Sequence, residues 1–180
     1  MNNLNQYINE KLKIGSNSKV NQKTKPANEE DLKKIILKKI ENKETDFNDI
    51  DISGIKDLSH LFEGQKTITE IDISEWDVSN VESMRAMFQD CRYLRTTGDL
   101  GNWKIDNCKD MSWMFNGCSC LTNIGDLDNW KIDKEVTLKC AFQGCERLKS
   151  IGNILHWRPK ESNWDIFSRC PVKPVPIKRV

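Results

Sequence analysis

The sequence predicts an α/β repeat, a solenoid of about four to five stacked units closed at its N-terminal end by a helical cap. Three observations predict it. Trp76, Trp103, Trp130 and Trp157 are each separated by 27 residues. Phe62, Phe88, Phe115, Phe142 and Phe167 follow at 26, 27, 27 and 25, so two independent markers keep one period. Met84, Met87 and Phe88 stand at i, i+3 and i+4, the spacing that puts three apolar side chains on one face of a short helix.

Further columns keep the same register. Cys91, Cys118 and Cys145 are 27 residues apart, as are Leu94, Leu121 and Leu148. Met84 and Met111 align with Leu138, and Met87 and Met114 with Ala141. The segment TEIDIS reads as a strand, with Ile71 and Ile73 on one side and Asp72 on the other. Its counterparts surround Leu100, Leu127 and Ile154. A unit this small has too little core to fold alone, so its stability must come from stacking on its neighbours.

The unit IDISEWDVSNVESMRAMFQDCRYL matches W-D-x-S-x-V-x-x-M-x-x-M-F-x-x-C-x-x-L; of this its successor DLGNWKIDNCKDMSWMFNGCSCL keeps the W and M-x-x-M-F-x-x-C-x-x-L, and DLDNWKIDKEVTLKCAFQGCERL the W and F-x-x-C-x-x-L. This pattern resembles the BspA-like leucine-rich repeats, including the Mycoplasma-type surface repeats, over residues 47–171. The resemblance implies a short strand, a turn through the Trp and a short helix carrying M-x-x-M-F. It also implies adhesion or surface display as the function.

The flanking segments read differently. Residues 28–46 begin with Asn28 as an N-cap and with acidic residues in the first turn, and Leu32, Ile35, Ile36 and Ile40 form an apolar stripe edged by Leu37, which predicts a capping helix. Residues 15–27, GSNSKVNQKTKPA, lack apolar periodicity and read as a flexible linker. Before it, residues 1–14 present Leu4, Tyr7, Ile8 and Leu12, a short amphipathic peptide of the kind that orders on a partner. Residues 172–180 read as a basic, proline-containing tail.

Composition narrows the function classes. The net charge of +1 divides unevenly: residues 1–46 carry +3, residues 158–180 carry +4 and the body between carries −6. An acidic body does not suit nucleic acid. No stretch of about 18 apolar residues occurs, so no membrane span is expected, and the N-terminus lacks the apolar run of a signal peptide, which points to a cytoplasmic chain. The odd count of 7 cysteines without an export signal reads as reduced thiols packed like small hydrophobes.

Chemistry-bearing motifs are sparse. His60 and His156 lie in different units, and pairing His156 with Cys170 would draw on a cysteine of the structural column. Cys118 and Cys120 are two apart, but no C-x-x-C occurs, so no metal site is expected. G-x-x-x-x-G-K-[ST] and G-x-G-x-x-G are both absent. No enzyme, cofactor or small-molecule substrate is expected.

What remains is the surface. Asp72, Asp99 and Asp126 should form one outward column ended by Asn153, beside a column of Asp77, Lys104, Lys131 and Arg158. Aligned like charges are costly unless solvated or engaged, which makes the Asp column either a binding stripe or a solubilising face. Glu75, Asn102 and Asn129 vary beside it and are the natural seat of specificity. The function expected is non-enzymatic binding of a protein partner, as an intracellular adaptor or inhibitor of bacterial or phage type. The alternatives are a BspA-type surface adhesin and a component of a viral or bacterial assembly.

Overall fold

The computed structural model describes residues 23–159, 161 and 163–172. Its helices are α1 (Glu29–Glu41) and α2 (Asn163–Phe167). Of the segment expected as a linker, the described end is tied down: Thr24 forms a parallel bridge with Ile50, and Pro26 is buried. The N-terminal peptide with Leu4, Tyr7, Ile8 and Leu12 lies outside the described residues, as does the tail from 173 onward.

Helix α1 forms for local reasons. The Asn28 side chain accepts from the Asp31 N–H at 2.9 Å, and the Asp31 carboxylate accepts from the Ala27 N–H at 2.9 Å, so two otherwise unpaired donors are satisfied reciprocally. Lys43 adopts the left-handed conformation at φ 58°, and the Lys43 and Glu44 N–H groups bond back to the carbonyls of Ile40 and Lys39, which closes the C-terminus. Leu32 and Ile36 are fully buried, Ile35 and Ile40 pack against the same core, and Leu37 stays exposed. The Lys39 ammonium lies 2.5 Å from Glu44, 3.0 Å from Asp49 and 5.6 Å from the centre of the Phe47 ring, which fastens the helix to the first turns of the body.

The α/β repeat predicted for residues 47–171 is not what forms, and the leucine-rich-repeat solenoid reading falls with it. Among the described residues there is no strand, and the repeated M-x-x-M-F segments contain no helix. The reason lies in the backbone. Ala86, Trp113 and Cys140 occupy the same place in successive units and all have positive φ, at 52°, 56° and 57°, which a right-handed helix cannot contain. Alternate N–H groups leave the segment altogether: Met84, Ala86, Phe88 and Asp90 donate to the carbonyls of Asp110, Ser112, Met114 and Asn116 at 2.8–2.9 Å. The intervening Met87 and Cys91 close tight turns onto Met84 and Phe88.

The strand expected at TEIDIS is reduced to isolated parallel bridges, Asp46 with Asp72 and Glu70 with Thr96. Two things keep it short. The Trp76 N–H turns back onto the Ile73 carbonyl at 3.1 Å, and in later units Gly98 and Gly125, with φ of 80° and 82°, stand where Ile71 stands. A second row of bridges links Asp57 to Ser83, Ser83 to Asp110 and Asp110 to Thr137.

The body is therefore a series of turns in parallel register, bonded turn to turn through the backbone. Its interior follows the columns of the sequence. The rings of Phe62, Phe88, Phe115, Phe142 and Phe167 lie face to face with centroids 5.0–5.6 Å apart. Trp103, Trp130 and Trp157 stack at 6.5 and 6.4 Å. Three indole N–H groups of the column are satisfied across turns, Trp76 donating to Phe47 O, Trp103 to Ile73 O and Trp130 to Leu100 O at 2.8, 3.3 and 3.0 Å, while that of Trp157 is buried without a partner among the described residues. The thiols of Cys91, Cys118 and Cys145 donate likewise to the carbonyls of Phe62, Phe88 and Phe115, at 2.9, 3.0 and 3.1 Å. Helix α2 ends the array by laying Phe167 on Phe142 at 5.4 Å.

Candidate interaction surface

The Asp column is present but largely committed to the backbone. Asp72 is half-buried, and its Oδ1 accepts from the Ser74 N–H at 3.0 Å and from the Ser74 hydroxyl at 2.7 Å. Burial alone would raise the Asp72 pKa, yet hydrogen bonds from Ser74 and Asn48 outweigh it and hold the carboxyl below its usual range. Asp99 is exposed, with its Oδ1 accepting from the Gly101 N–H at 2.8 Å. Asp126 and Asn153 are exposed, and the Asn153 side chain accepts from the Leu155 N–H at 3.2 Å. The same turn recurs where Asp51, Asp77 and Asp110 accept from the N–H of Ser53, Ser79 and Ser112.

Glycine makes room for these carboxylates. A Cβ placed on Gly98 would overlap the Asp72 carboxylate, and one on Gly125 would overlap that of Asp99, so each Asp of one unit is received by a glycine of the next. Two members of the column thus act as joints between neighbouring turns.

The variable residues beside them face outward. Glu75, Asn102 and Asn129 are exposed. An open depression of about 360 Å³ brings Glu75 and Asn102 together with Ser74, Asp77, Ser79 and Lys104 over the edge of Trp76. Asp77 is held below its usual pKa by the hydroxyl and the N–H of Ser79. Asn129 does not line this depression, and its side chain donates to the Gly101 carbonyl at 3.4 Å. Nor do Asp99, Asp126 and Asn153 line it. The neighbouring basic residues do not form one stripe, because Lys131 pairs with Asp106 at 3.1 Å and Arg158 turns back onto the carbonyls of Leu155 and Trp157.

A second depression, also about 360 Å³, lies away from the residues that the sequence marks as outward columns. It is lined by Lys56, Asn80, Glu82, Asn107 and Lys109. Lys56 and Glu82 pair at 2.7 Å, and the amides of Asn80 and Asn107 donate to the carbonyls of Ser53 and Ser79. The signal was available, since Asn80 and Asn107 are one 27-residue period apart.

Four of the thiols are buried, and both histidine rings are engaged. Burial pushes the Cys91 and Cys108 thiols up to about 12 and raises those of Cys118 and Cys145 as well, so they stay protonated donors at neutral pH. His156 Nε2 is 2.9 Å from the Trp130 carbonyl, and His60 Nδ1 is 2.8 Å from Glu63. Among the described residues no group of three or more His, Cys, Asp or Glu is placed to hold a metal ion, and no helix is long and apolar enough to cross a membrane.

Comparison with known proteins returns one family. The model described as Mycoplasma protein of unknown function, DUF285, matches residues 30–157, from α1 to the fourth Trp of the period. No curated protein and no solved structure matches the chain.

Proposed function

The chain belongs to the family described as Mycoplasma protein of unknown function, DUF285, and we propose that it works as a non-enzymatic protein–protein interaction module, an adaptor or inhibitor. One observation carries the reading. Glu75 and Asn102 hold equivalent positions in neighbouring units, differ in chemistry and share one open depression with Asp77 and Lys104. Behind them the backbone is held by Asp–Ser and Asp–Gly turns. A rigid frame with outward side chains that change from unit to unit suits recognition of another protein surface. The opening is shallow and polar, which suits a macromolecular contact better than a small molecule that must be enclosed.

The test is a photo-cross-linking residue placed at Asn102 in the full chain, inside its source cells, beside the same residue at Lys33 on the outer face of α1. A discrete adduct to one protein from Asn102 alone is the expected result. Adducts of equal pattern from both positions, or none from either, would count against a recognition face here.

A second reading, surface adhesion of the BspA type, is favoured by the repeat signature and by the Mycoplasma description of the family. It predicts that protease added to intact cells removes the protein. Survival of the protein under conditions that strip other surface proteins would leave the adaptor or inhibitor role.

A further inference from the structure

On a different corner of each turn, Trp113 holds a position that nothing in the fold asks of an aromatic residue. Its φ of 56° lies in the left-handed region, where a bulky side chain is strained, and it shares that conformation with His60, Ala86 and Cys140 in the other units. The turn tolerates the small, buried Ala86, so the turn itself does not call for a ring. Nor does burial account for Trp113, which is only half-buried, unlike Trp76, Trp103 and Trp130 of the core column.

What Trp113 does is collect cations. The Arg85 guanidinium of the preceding unit lies 4.2 Å from the centre of its ring, and the Lys139 ammonium of the following unit lies 5.7 Å away. Arg85 is held in place, donating to the Ser112 hydroxyl at 3.0 Å, with Asp110 3.7 Å away. The Asp110 carboxylate is itself occupied, accepting from the Ser112 N–H at 2.8 Å and from the Ser112 hydroxyl. Lys139 makes no ion pair among the described residues. The cluster therefore sets two cations against one engaged carboxylate. The ring orients both while donating nothing to neutralise them.

We propose that Arg85, Trp113 and Lys139 form a docking site for an acidic peptide segment of a partner protein. Arg85 offers remaining N–H donors in a fixed fork to one carboxylate, and Lys139 takes a second. The two cations are two turns apart, about 10 Å at the spacing of paired backbones, which two carboxylates two or three residues apart on an extended peptide can bridge. Charge complementarity with the cations selects this occupant. A base or sugar would need a free aromatic face, and Arg85 lies over this ring at stacking distance. The site lies apart from the depression around Asn102 and deepens the protein-interaction reading, on which it rests.

The experiment is fluorescence anisotropy of the full chain with a labelled, Glu-rich decapeptide, beside a peptide in which Gln replaces every Glu. The acidic peptide is expected to bind and the Gln peptide at least tenfold more weakly, with affinity falling as salt rises. R85Q/K139Q should lower affinity at least tenfold. Trp113→Gly should weaken binding about three- to fivefold while leaving the thermal midpoint unchanged or higher, because glycine relieves the backbone strain. Equal binding of both peptides, or unchanged affinity in R85Q/K139Q, overturns the proposal. Should Trp113→Gly fail to fold, R85Q/K139Q still decides, since Lys139 is exposed and Arg85 only half-buried, outside the core columns. An adduct at Asn102 without acidic-peptide binding would remove this site and leave the interaction module standing; no adduct at Asn102 with acidic-peptide binding intact would remove the face at Asn102 and leave this site.

Discussion

Helix α1 and the segment from Met84 to Asp90 share one hydrophobic pattern and have opposite structures. In α1, Leu32, Ile35 and Ile36 stand at i, i+3 and i+4; in the later segment Met84, Met87 and Phe88 do the same. Both sets turn inward: Leu32 and Ile36 are fully buried, Ile35 packs against the core, and all three later residues are buried. Yet α1 keeps its hydrogen bonds within itself, whereas Met84, Ala86, Phe88 and Asp90 send theirs to the next turn. The pattern reports which side chains are buried. It does not report where the backbone finds its partners, and that second question decides between helix and turn.

The largest expected effect follows from that difference. Phe115 lies between Phe88 and Phe142 at 5.2 and 5.6 Å, so Phe115→Ala opens a cavity in a body whose turns depend on their neighbours. A loss of about 3–5 kcal/mol is expected, with the helical signal at 222 nm and the tryptophan fluorescence shifting together in a urea titration. Ile36→Ala makes a cavity beneath α1 instead, and there the helical signal should move to lower urea than the fluorescence. If the two signals stayed superimposed in Ile36→Ala, α1 and the body would be one cooperative unit and the contrast between them would collapse.

Glycine sharpens the comparison, because the same replacement should have opposite signs in the two regions. Asp90 has a φ of 57° in a column that also holds Gly64, Gly117 and Gly144 and ends on Arg169 at 58°. Relief of its strain, less the added entropy of the unfolded chain, should make Asp90→Gly stabilising by about 0.5–1 kcal/mol. Its ion pair with Arg92 is exposed and contributes little. Lys33→Gly, on the exposed face of α1, should cost about 1 kcal/mol. Denaturation midpoints of the two variants, measured against the parent, give both signs directly. A destabilised Asp90→Gly would mean that the carboxylate matters more to its turn than the backbone strain does.

These contrasts show what could be read from the sequence. The Phe, Trp and Cys columns were legible because one side chain repeated at one spacing must meet its own copy, and the rings and thiols do so. The bounds of α1 were legible because Asn28 and its acidic first turn act locally. The turns at Met84 are not legible as such, since positive φ at Ala86, Trp113 and Cys140 is carried by residues that do not announce it, whereas the short strand at Ile71 has a signal in Gly98 and Gly125, which hold its place in later units. In the candidate site, Glu75 and Asn102 were legible as outward neighbours of the Trp column. The commitment of Asp72 and Asp99 was not drawn from the sequence, although the repeated spacing of Asp51 to Ser53, Asp72 to Ser74, Asp77 to Ser79 and Asp99 to Gly101 contains it. An acidic residue two positions before a small one is a turn before it is a charge.

The smallest effect, acid sensitivity, separates the carboxylates that hold turns from the charges that hold α1. Hydrogen bonds from Ser53 lower the pKa of Asp51, and those from Ser79 lower that of Asp77; in Asp72, bonds from Ser74 and Asn48 overcome the opposing effect of burial. A carboxyl whose pKa is lower folded than unfolded contributes stability that is complete above the unfolded value of about 3.8 and is lost as pH falls through the folded value. The urea midpoint of the body should therefore drop on acidification below about pH 4. In D51N/D72N/D77N the drop should flatten, because asparagine keeps the accepting oxygen at each turn without titrating. The attachment of α1 responds at the other end of the scale. Burial would lower the Lys39 pKa, but Glu44 and Asp49 outweigh it and raise the value, so this contribution is present below 10.5 and is lost as pH rises through the folded value. An unchanged acid slope in the triple variant would transfer the acid sensitivity to Glu44, whose pKa Lys39 lowers, and with it from the turns to the joint beneath α1.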